Sequence, residues 1–489
     1  MKLTRRSVLG GAAAAAAAMA TSAGVLAAPK PAKSQKKKPP RDARADVIVI
    51  GAGLSGLSSA MLLEEAGLSV QVIEARERVG GRVHTLFHLP GYPEVGGNGF
   101  GAGYGRVIDA SRRMGLKVVE YTERRKRHAK TELVIGGKIL QANEWAASPL
   151  NRLPADIRER MPWQMPALAL AKGNPLSAAE DWRSSVNRSL DVSLHDFMSE
   201  RGVDREAIRL GFSVNPYFGT SAHDVSALMY CFNDTWIAAQ AKISPATYSI
   251  LGGNQQLPNA MAAKLKQEVD FGREVVGVSA DEQGAEVHCA DGSRYRGAHV
   301  VCSLPYSVAR TIRFEPRLTG RQEEAVSTLP YMINTLFFFQ ARRRFWESDG
   351  LSPSMWTDGL LGTVSAQRFG SSDDDVTCLV VNPRGHRAAY LDRLPREEAI
   401  RRVIAEIEAI RPAARGALEC TGYHSWNQDP YAAGDWAVFA PGQITRYGED
   451  MAKSHGRVHF CGEHTAIANR GMEGAMESAE RVAIEIMSA

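Results

Sequence analysis

Short apolar runs alternate along the chain with polar, glycine-punctuated turns, and the first clear run is Ala45-Asp46-Val47-Ile48-Val49-Ile50. Four successive apolar residues without alternation predict a strand buried on both faces, the pattern of a parallel sheet. Gly51-Ala52-Gly53-Leu54-Ser55-Gly56 follows, then a helical pattern through Ala66, a stop at Gly67 and a second strand over Ser69 to Ile73, closed by Glu74. Strand, helix and strand fit within about 30 residues, one βαβ unit. Between Val269 and Pro305, turns at Asp281-Glu282-Gln283-Gly284 and Asp291-Gly292 separate short strands that end in an apolar one from His299 to Cys302. Val458-His459-Phe460-Cys461 reads as a last buried strand, leading through Gly462-Glu463 to a terminal helix from Gly471 to Met487.

The stretches between, 101–245 and 330–415, mix helical and strand patterns and carry most of the tryptophans. Apolar positions three to four apart predict a helix over Arg396 to Ile410. Phe337-Phe338-Phe339 reads as a core strand, and Arg342-Arg343-Arg344 as a solvated turn. The fold class predicted is α/β: a Rossmann-type dinucleotide-binding domain (45–100, 246–329 and 416–489) interleaved with a smaller mixed sheet-and-helix domain (101–245 and 330–415). A length of 489 residues suits two to three domains.

Composition changes this picture only at the N-terminus. Hydrophobic residues at 44% and charged residues at 23% are ordinary for a soluble globular chain. The net charge is +5, but residues 1–44 hold ten basic residues against Asp42 alone; that +9 leaves the rest of the chain at −4. The folded body is mildly acidic, which argues against nucleic-acid binding. Arg5-Arg6 stand just ahead of an Ala-rich apolar run that continues to Ala28. A basic start, a short apolar stretch and small residues form an export signal, here of the twin-arginine type. The expectation is therefore a signal peptide over 1–28, a basic Lys/Pro linker over 29–44, and a periplasmic protein without a stable membrane span. Six cysteines show no CxxC spacing, and Cys302, Cys378 and Cys461 lie in strand-like runs, so buried free thiols and no metal are expected.

GxGxxG alone is a weak signal, but here a strand precedes it, a helix follows it, and Glu74 ends the second strand about 20 residues on. Gly51, Gly53 and Gly56, with Ser55, let the backbone approach a pyrophosphate seated on the helix N-terminus. Glu74 would accept from an adenosine ribose. A second glycine pair and an arginine, Gly80-Gly81-Arg82, continue directly from that carboxylate. Near the C-terminus Gly462-Glu463-His464-Thr465 follows a buried strand, and Gly471-Met472-Glu473-Gly474-Ala475 opens a helix whose N-terminus can stabilise negative charge on a reduced cofactor.

Together with Glu94-Val95-Gly96-Gly97 and Gly252-Gly253, these residues resemble the flavin-containing monoamine oxidase and polyamine oxidase family, across nearly all of the chain after residue 44. The resemblance implies FAD as cofactor, with a smaller substrate domain over the flavin face. It places Glu74 and Arg76 at the adenosine ribose, Gly81, Arg82, Gly97 and Asn98 near the flavin, and Val275 against the adenine through its backbone. Gly462 and Glu463 fall at the ribityl–pyrophosphate region, and Met472 at the isoalloxazine. The chemistry implied is oxidation of a primary or secondary amine, a hydride equivalent passing from the carbon beside a neutral amine to the flavin, with hydrolysis of the imine.

The chain departs from the family pattern at three points. Asp435 stands where covalently flavinylated members carry cysteine, so FAD is expected to be non-covalent. Trp436 then falls at one wall of the amine site, while Gly471 occupies the opposite wall, usually aromatic; a bulkier substrate or a residue from elsewhere would fill the gap. Leu329 to Phe338 contains no lysine where many members place one near the flavin, and Asn334 and Thr335 come nearest. Oxygen or a periplasmic electron acceptor would then take the electrons. The histidines His195, His223, His424 and His464 read as structural. An L-amino-acid oxidase, which needs a cation for the substrate carboxylate, and an inactive flavin-binding scaffold are the alternatives.

Overall fold

In a computed structural model, residues 42–127, 130–368 and 375–489 are described; the expected signal peptide and most of the linker lie outside them. A parallel sheet of five strands forms the centre: β1 (Val47–Ile50), β2 (Val70–Glu74), β3 (Asp270–Phe271), β4 (His299–Cys302) and β5 (Val458–Phe460), in spatial order β3-β2-β1-β4-β5. The uninterrupted Val-Ile-Val-Ile of β1 is what both faces require, since every one of its residues is buried. Helix α1 (Leu54–Glu65) packs on one face through Leu57, Ala60 and Leu63, beside α2 (Gly471–Met487) with Met476, Val482 and Ala483. The chain leaves β1 toward β2 on one side, whereas β4 lies on the other. The direction of winding therefore reverses between β1 and β4, which opens a crevice at their carboxyl ends.

A second sheet joins 313–315, 275–280, 285–289, 294–297 and Asp42–Arg44. That last strand corrects the linker, which was expected to run to residue 44: Asp42–Arg44 pairs in parallel register with 294–296. A seven-stranded sheet runs Leu418–Ser425, Thr335–Ala341, Cys378–Asn382, Thr363–Gln367, Met355–Thr357, Glu132–Ile135, Lys138–Leu140. Leu418–Ser425 thus belongs to this sheet, and the expected boundary at 415/416 falls ahead of it by one strand. The predicted helix Arg396–Ile410 is present and covers one face with Ala399, Val403 and Ile407.

Strand alternation in Thr335–Ala341 matters for the site. Phe337 and Phe339 point to the helix-covered face, whereas Leu336 and Phe338 pack with Val95 and Trp426 on the other. All three phenylalanines are buried, as a core strand requires. The six cysteines are free thiols, five buried and Cys420 partly so. Among the described residues no helix is long and apolar enough to cross a membrane.

Candidate active site

The turn after β1 is built for close backbone approach. Gly51 has φ +97°, and a β-carbon there would stand 2.7 Å from Ser303 Oγ. At Gly56 a β-carbon would sit 2.0 Å from the Gly51 carbonyl oxygen. Gly53 differs: φ is −76°, no side chain caps α1, and its β-carbon direction is open, with nothing within 4 Å. The first N–H groups of α1 therefore face an open space, the arrangement that holds an anion. The second glycine pair closes on the first, with Gly80 N–H donating to Ala52 O at 2.8 Å. Gly81, at φ +57°, comes so close that its β-carbon would meet Gly53 Cα at 3.4 Å.

Glu74 is buried, and its two oxygens accept one backbone N–H each, from Ala52 and from Arg76, both at 2.9 Å. Each oxygen keeps lone-pair capacity for a further donor. Arg76 Nη2 donates to Asp429 at 2.7 Å, the guanidinium lies over Tyr431, and Nη1 stands 3.8 Å from Glu74 Oε1. Arg76 thus lies beside the Glu74 carboxylate while one arm of its fork is held by Asp429. Val275 begins a strand just beyond Arg273, whose N–H donates to Glu74 O at 2.8 Å, so it lies at the same end.

Across the crevice, Gly462 (φ +137°) turns the chain after β5 and delivers Glu463. Glu463 Oε1 accepts from Arg82 Nη1 at 3.0 Å and from Ala437 N–H at 2.9 Å. Burial opposes ionisation of Glu463, yet Arg82 and its other partners hold its carboxyl below the usual range. Arg82 also donates to the Asp435 carbonyl. Burial pushes the Asp435 carboxyl up to about 6, against the opposing pull of Asn334, Arg82 and Arg384. Its Oδ2 accepts from Asn334 Nδ2 at 2.7 Å, and Asn334 Oδ1 accepts from Asn382 at 2.8 Å. Met472 at the start of α2 places its sulfur 3.4 Å from where a Gly97 β-carbon would stand, beside Val83. Asn98 is exposed and lines a cleft of about 370 Å³ with Tyr104, Trp236 and Gln240.

Aromatic rings also gather at Trp436. Trp436 is half-buried, its indole N–H has no partner, and its ring lies 5.1 Å from Tyr217. The wall left open at Gly471 is met from another element: the Tyr104 hydroxyl comes to 3.6 Å from the Gly471 β-carbon position, and the Tyr104 ring lies 5.5 Å from Trp236.

The flavin containing amine oxidoreductase family model matches residues 54–487. The chain belongs to that family. It is 26% identical over 476 residues to amine oxidase [flavin-containing] B of Cavia porcellus, covering 92% of this chain and 87% of that one. The Homo sapiens enzyme of the same name is 25% identical over 473 residues, with 91% and 86% covered. Wild-type putrescine oxidase bound to putrescine superposes with a TM-score of 0.69 at 26% identity, covering 92% of this chain and all of that one. Cyclohexylamine oxidase from Brevibacterium oxydans IH-35A shares the fold, with a TM-score of 0.72 at 22% identity and 91% and 99% covered. This is an FAD-dependent amine oxidoreductase, and the crevice fits that cofactor: an uncapped helix N-terminus facing free space, paired glycines beneath it, and a buried carboxylate at the end of β2.

The tertiary structure moves one expected site residue and adds others. Thr335 is fully buried, and its hydroxyl donates to Asp392 at 2.8 Å. Strand alternation puts it on the helix-covered face with Phe337, away from Asn334 and Asp435, so it is not a pocket residue. Tyr104, Tyr217, Arg384 and Arg470 escaped the sequence reading because no local motif marks them. His464 is buried with both ring nitrogens unpartnered, and burial lowers its pKa to about 3, so it stays neutral. His195 and His223, 28 positions apart, stack at 3.9 Å beside Asp196, a cluster no local spacing announces.

Proposed function

We propose that this chain is an exported enzyme that oxidises a primary or secondary amine with a non-covalently held FAD, and that oxygen or a periplasmic acceptor completes the cycle. The observation that carries the site assignment is the uncapped N-terminus of α1 facing open space at Gly53, with Glu74 beyond it and, after the adjoining Gly81, Arg82 bonded to Asp435, the neighbour of Trp436. The α1 N–H groups and the glycine turn hold the pyrophosphate, and Glu74 accepts from a ribose hydroxyl. Arg82, neutralised by Glu463, fixes the segment 435–437 against the second half of the cofactor. The N-terminus of α2, beginning at Gly471 and Met472, offers N–H groups where negative charge gathers. When bound, FAD supplies a two-electron acceptor for the hydride that leaves the carbon beside the amine nitrogen.

Trp436 and Tyr104 flank the amine, exclude water and favour its neutral form, because apolar surroundings disfavour an ammonium. Asp435 has no thiol with which to tether a flavin, which supports non-covalent binding. Export rests on the Arg5-Arg6 leader. The test is an anaerobic spectral titration of the purified protein with a panel of amines, then air. Bleaching by an amine, with flavin released into the supernatant by acid, supports the reading, and the rate of recolouring tells oxygen from another acceptor. A bound flavin that no amine reduces would sink it. Cell fractionation showing the protein only in the cytoplasm would sink the export claim.

A further inference from the structure

His195 and His223 meet on the surface, and neither the cofactor crevice nor the amine site uses them. Their imidazole rings stack with centroids 3.9 Å apart and an interplanar angle of 24°. The Asp196 carboxylate stands beside them, its Oδ1 3.1 Å from His195 Nδ1. One ligand atom from each of the three residues lies within 4.8 Å of the other two. Among the described residues no lysine or arginine pairs with Asp196, so its charge is open to another cation.

The backbone fixes this meeting. Ser193 and Ser226 bridge in antiparallel sense, Leu194 N–H donates to Val225 O at 2.8 Å, and Ala227 N–H donates to Val192 O at 2.9 Å. Ser193 Oγ caps the helix Leu194–Glu200 by accepting from Asp196 N–H at 3.0 Å, and Ser221 Oγ accepts from His223 N–H at 3.2 Å. Asp224, next along the chain, is engaged with Thr220, whose N–H donates to it at 3.0 Å. His195 is half-buried, while Asp196 and His223 are exposed, so the main chain is held and the side chains remain reachable. Two imidazoles and one carboxylate are a donor set for zinc, copper or nickel, whereas magnesium and calcium take oxygen ligands. Two nitrogens on one zinc ion stand at most about 4.2 Å apart, twice a bond of about 2.1 Å. Rotation of the exposed His223 side chain closes the difference. Ligand spacing in the sequence offered no metal site, because these ligands come from segments joined only by the Ser193–Ser226 bridge.

We propose that His195, Asp196 and His223 form a surface site for one divalent transition-metal ion of the zinc class. The ion clamps the helix Leu194–Glu200 to the turn that leads into the helix Ala227–Ile243. That second helix carries Asn233, which accepts from Arg470 at 2.8 Å, and Trp236, which donates to Asn469 at 3.1 Å. The clamp therefore braces a helix that holds the residues just ahead of α2. The test uses tag-free holoenzyme stripped of metal by a chelator and titrated calorimetrically with Zn2+, with Mg2+ as the comparison ion. The wild type takes one Zn2+ ion per chain, and Mg2+ binds far more weakly. His195→Ala and His223→Ala each weaken Zn2+ binding at least about tenfold, the least that loss of even a ligand's outer-shell partner costs. Saturating Zn2+ raises the melting temperature of the wild type but not of His195→Ala/His223→Ala, because it binds the folded state alone. With Cu2+ in place of Zn2+, the electron paramagnetic resonance signal is split by two imidazole nitrogens in the wild type and by one in each single variant. Equal Zn2+ affinity in the wild type and the double variant overturns the proposal. So does a wild type that binds Zn2+ no more tightly than Mg2+, a comparison that needs no variant.

Discussion

Replacing Gly53 with alanine separates cofactor binding from folding more cleanly than any other change at the glycine turn. At φ −76° and ψ 176° an L-residue is unstrained there, and the added β-carbon meets no protein atom within 4 Å. Reduced freedom of the unfolded chain stabilises such a variant by about 0.4–1 kcal/mol, and the poorer N-cap takes back a few tenths. The apo-protein should therefore melt close to the wild type. The methyl nevertheless fills the space before the free N–H groups of α1, where the pyrophosphate lies. Losing one charge-assisted hydrogen bond, about 1.5–3 kcal/mol, weakens FAD binding about 10- to 100-fold. Gly56→Ala is the contrasting control. Its β-carbon would stand 2.0 Å from the Gly51 carbonyl oxygen and 2.7 Å from Ser303 Oγ, so backbone must move. Overpacking of that kind costs about 1–3 kcal/mol, and this variant should lose melting temperature as well as cofactor. Calorimetric titration of apo-protein with FAD, beside thermal melts of the same samples, measures both. Wild-type FAD affinity in Gly53→Ala would refute the placement of the pyrophosphate.

Three further outcomes follow from the site. The folded protein keeps the Asp435 proton up to about pH 6, while an unfolded aspartate releases it near about 4, so between those values the folded state binds more protons and stability falls as pH rises. Asp435→Asn should therefore stabilise the apo-protein by about 3 kcal/mol at pH 8 and progressively less toward pH 5; a difference that does not vary with pH in chemical denaturation would count against it. Trp436→Ala should raise KM for amines at least tenfold with FAD content unchanged, and Trp436→Phe should restore most of it; unchanged kinetics in the alanine variant would return Trp436 to the packed core. Thr335→Val should cost about 1–3 kcal/mol of stability, because buried Asp392 loses a donor, yet leave kcat/KM within about threefold; a large kinetic effect would reinstate Thr335 in the pocket.

Local rules made part of this protein legible from its residues alone. The run Val47 to Ile50 has only one comfortable environment, a sheet buried on both faces, and the glycines after it tolerate a turn that side chains would block. The helices Arg396–Ile410 and Gly471–Met487 announced themselves by period and by composition. The cofactor half of the site was readable for the same reason: its residues are neighbours in sequence, and the chemistry depends on backbone that those residues shape. The amine half was not. Tyr104, Tyr217, Arg384 and Arg470 come from four separate segments, and only the tertiary fold brings them near Trp436 and Gly471. Thr335 and Asn334 are adjacent in sequence yet face opposite sides, because a strand reverses direction at every residue and only burial decides which side is the core. The sequence by itself marked a dinucleotide site, since that rests on short-range backbone geometry, while FAD and amine oxidation followed from the resemblance of its motifs to the flavin-containing amine oxidase family. Tertiary structure alone decided which side chains gather around Trp436 and Gly471, since those contacts join residues up to several hundred positions apart.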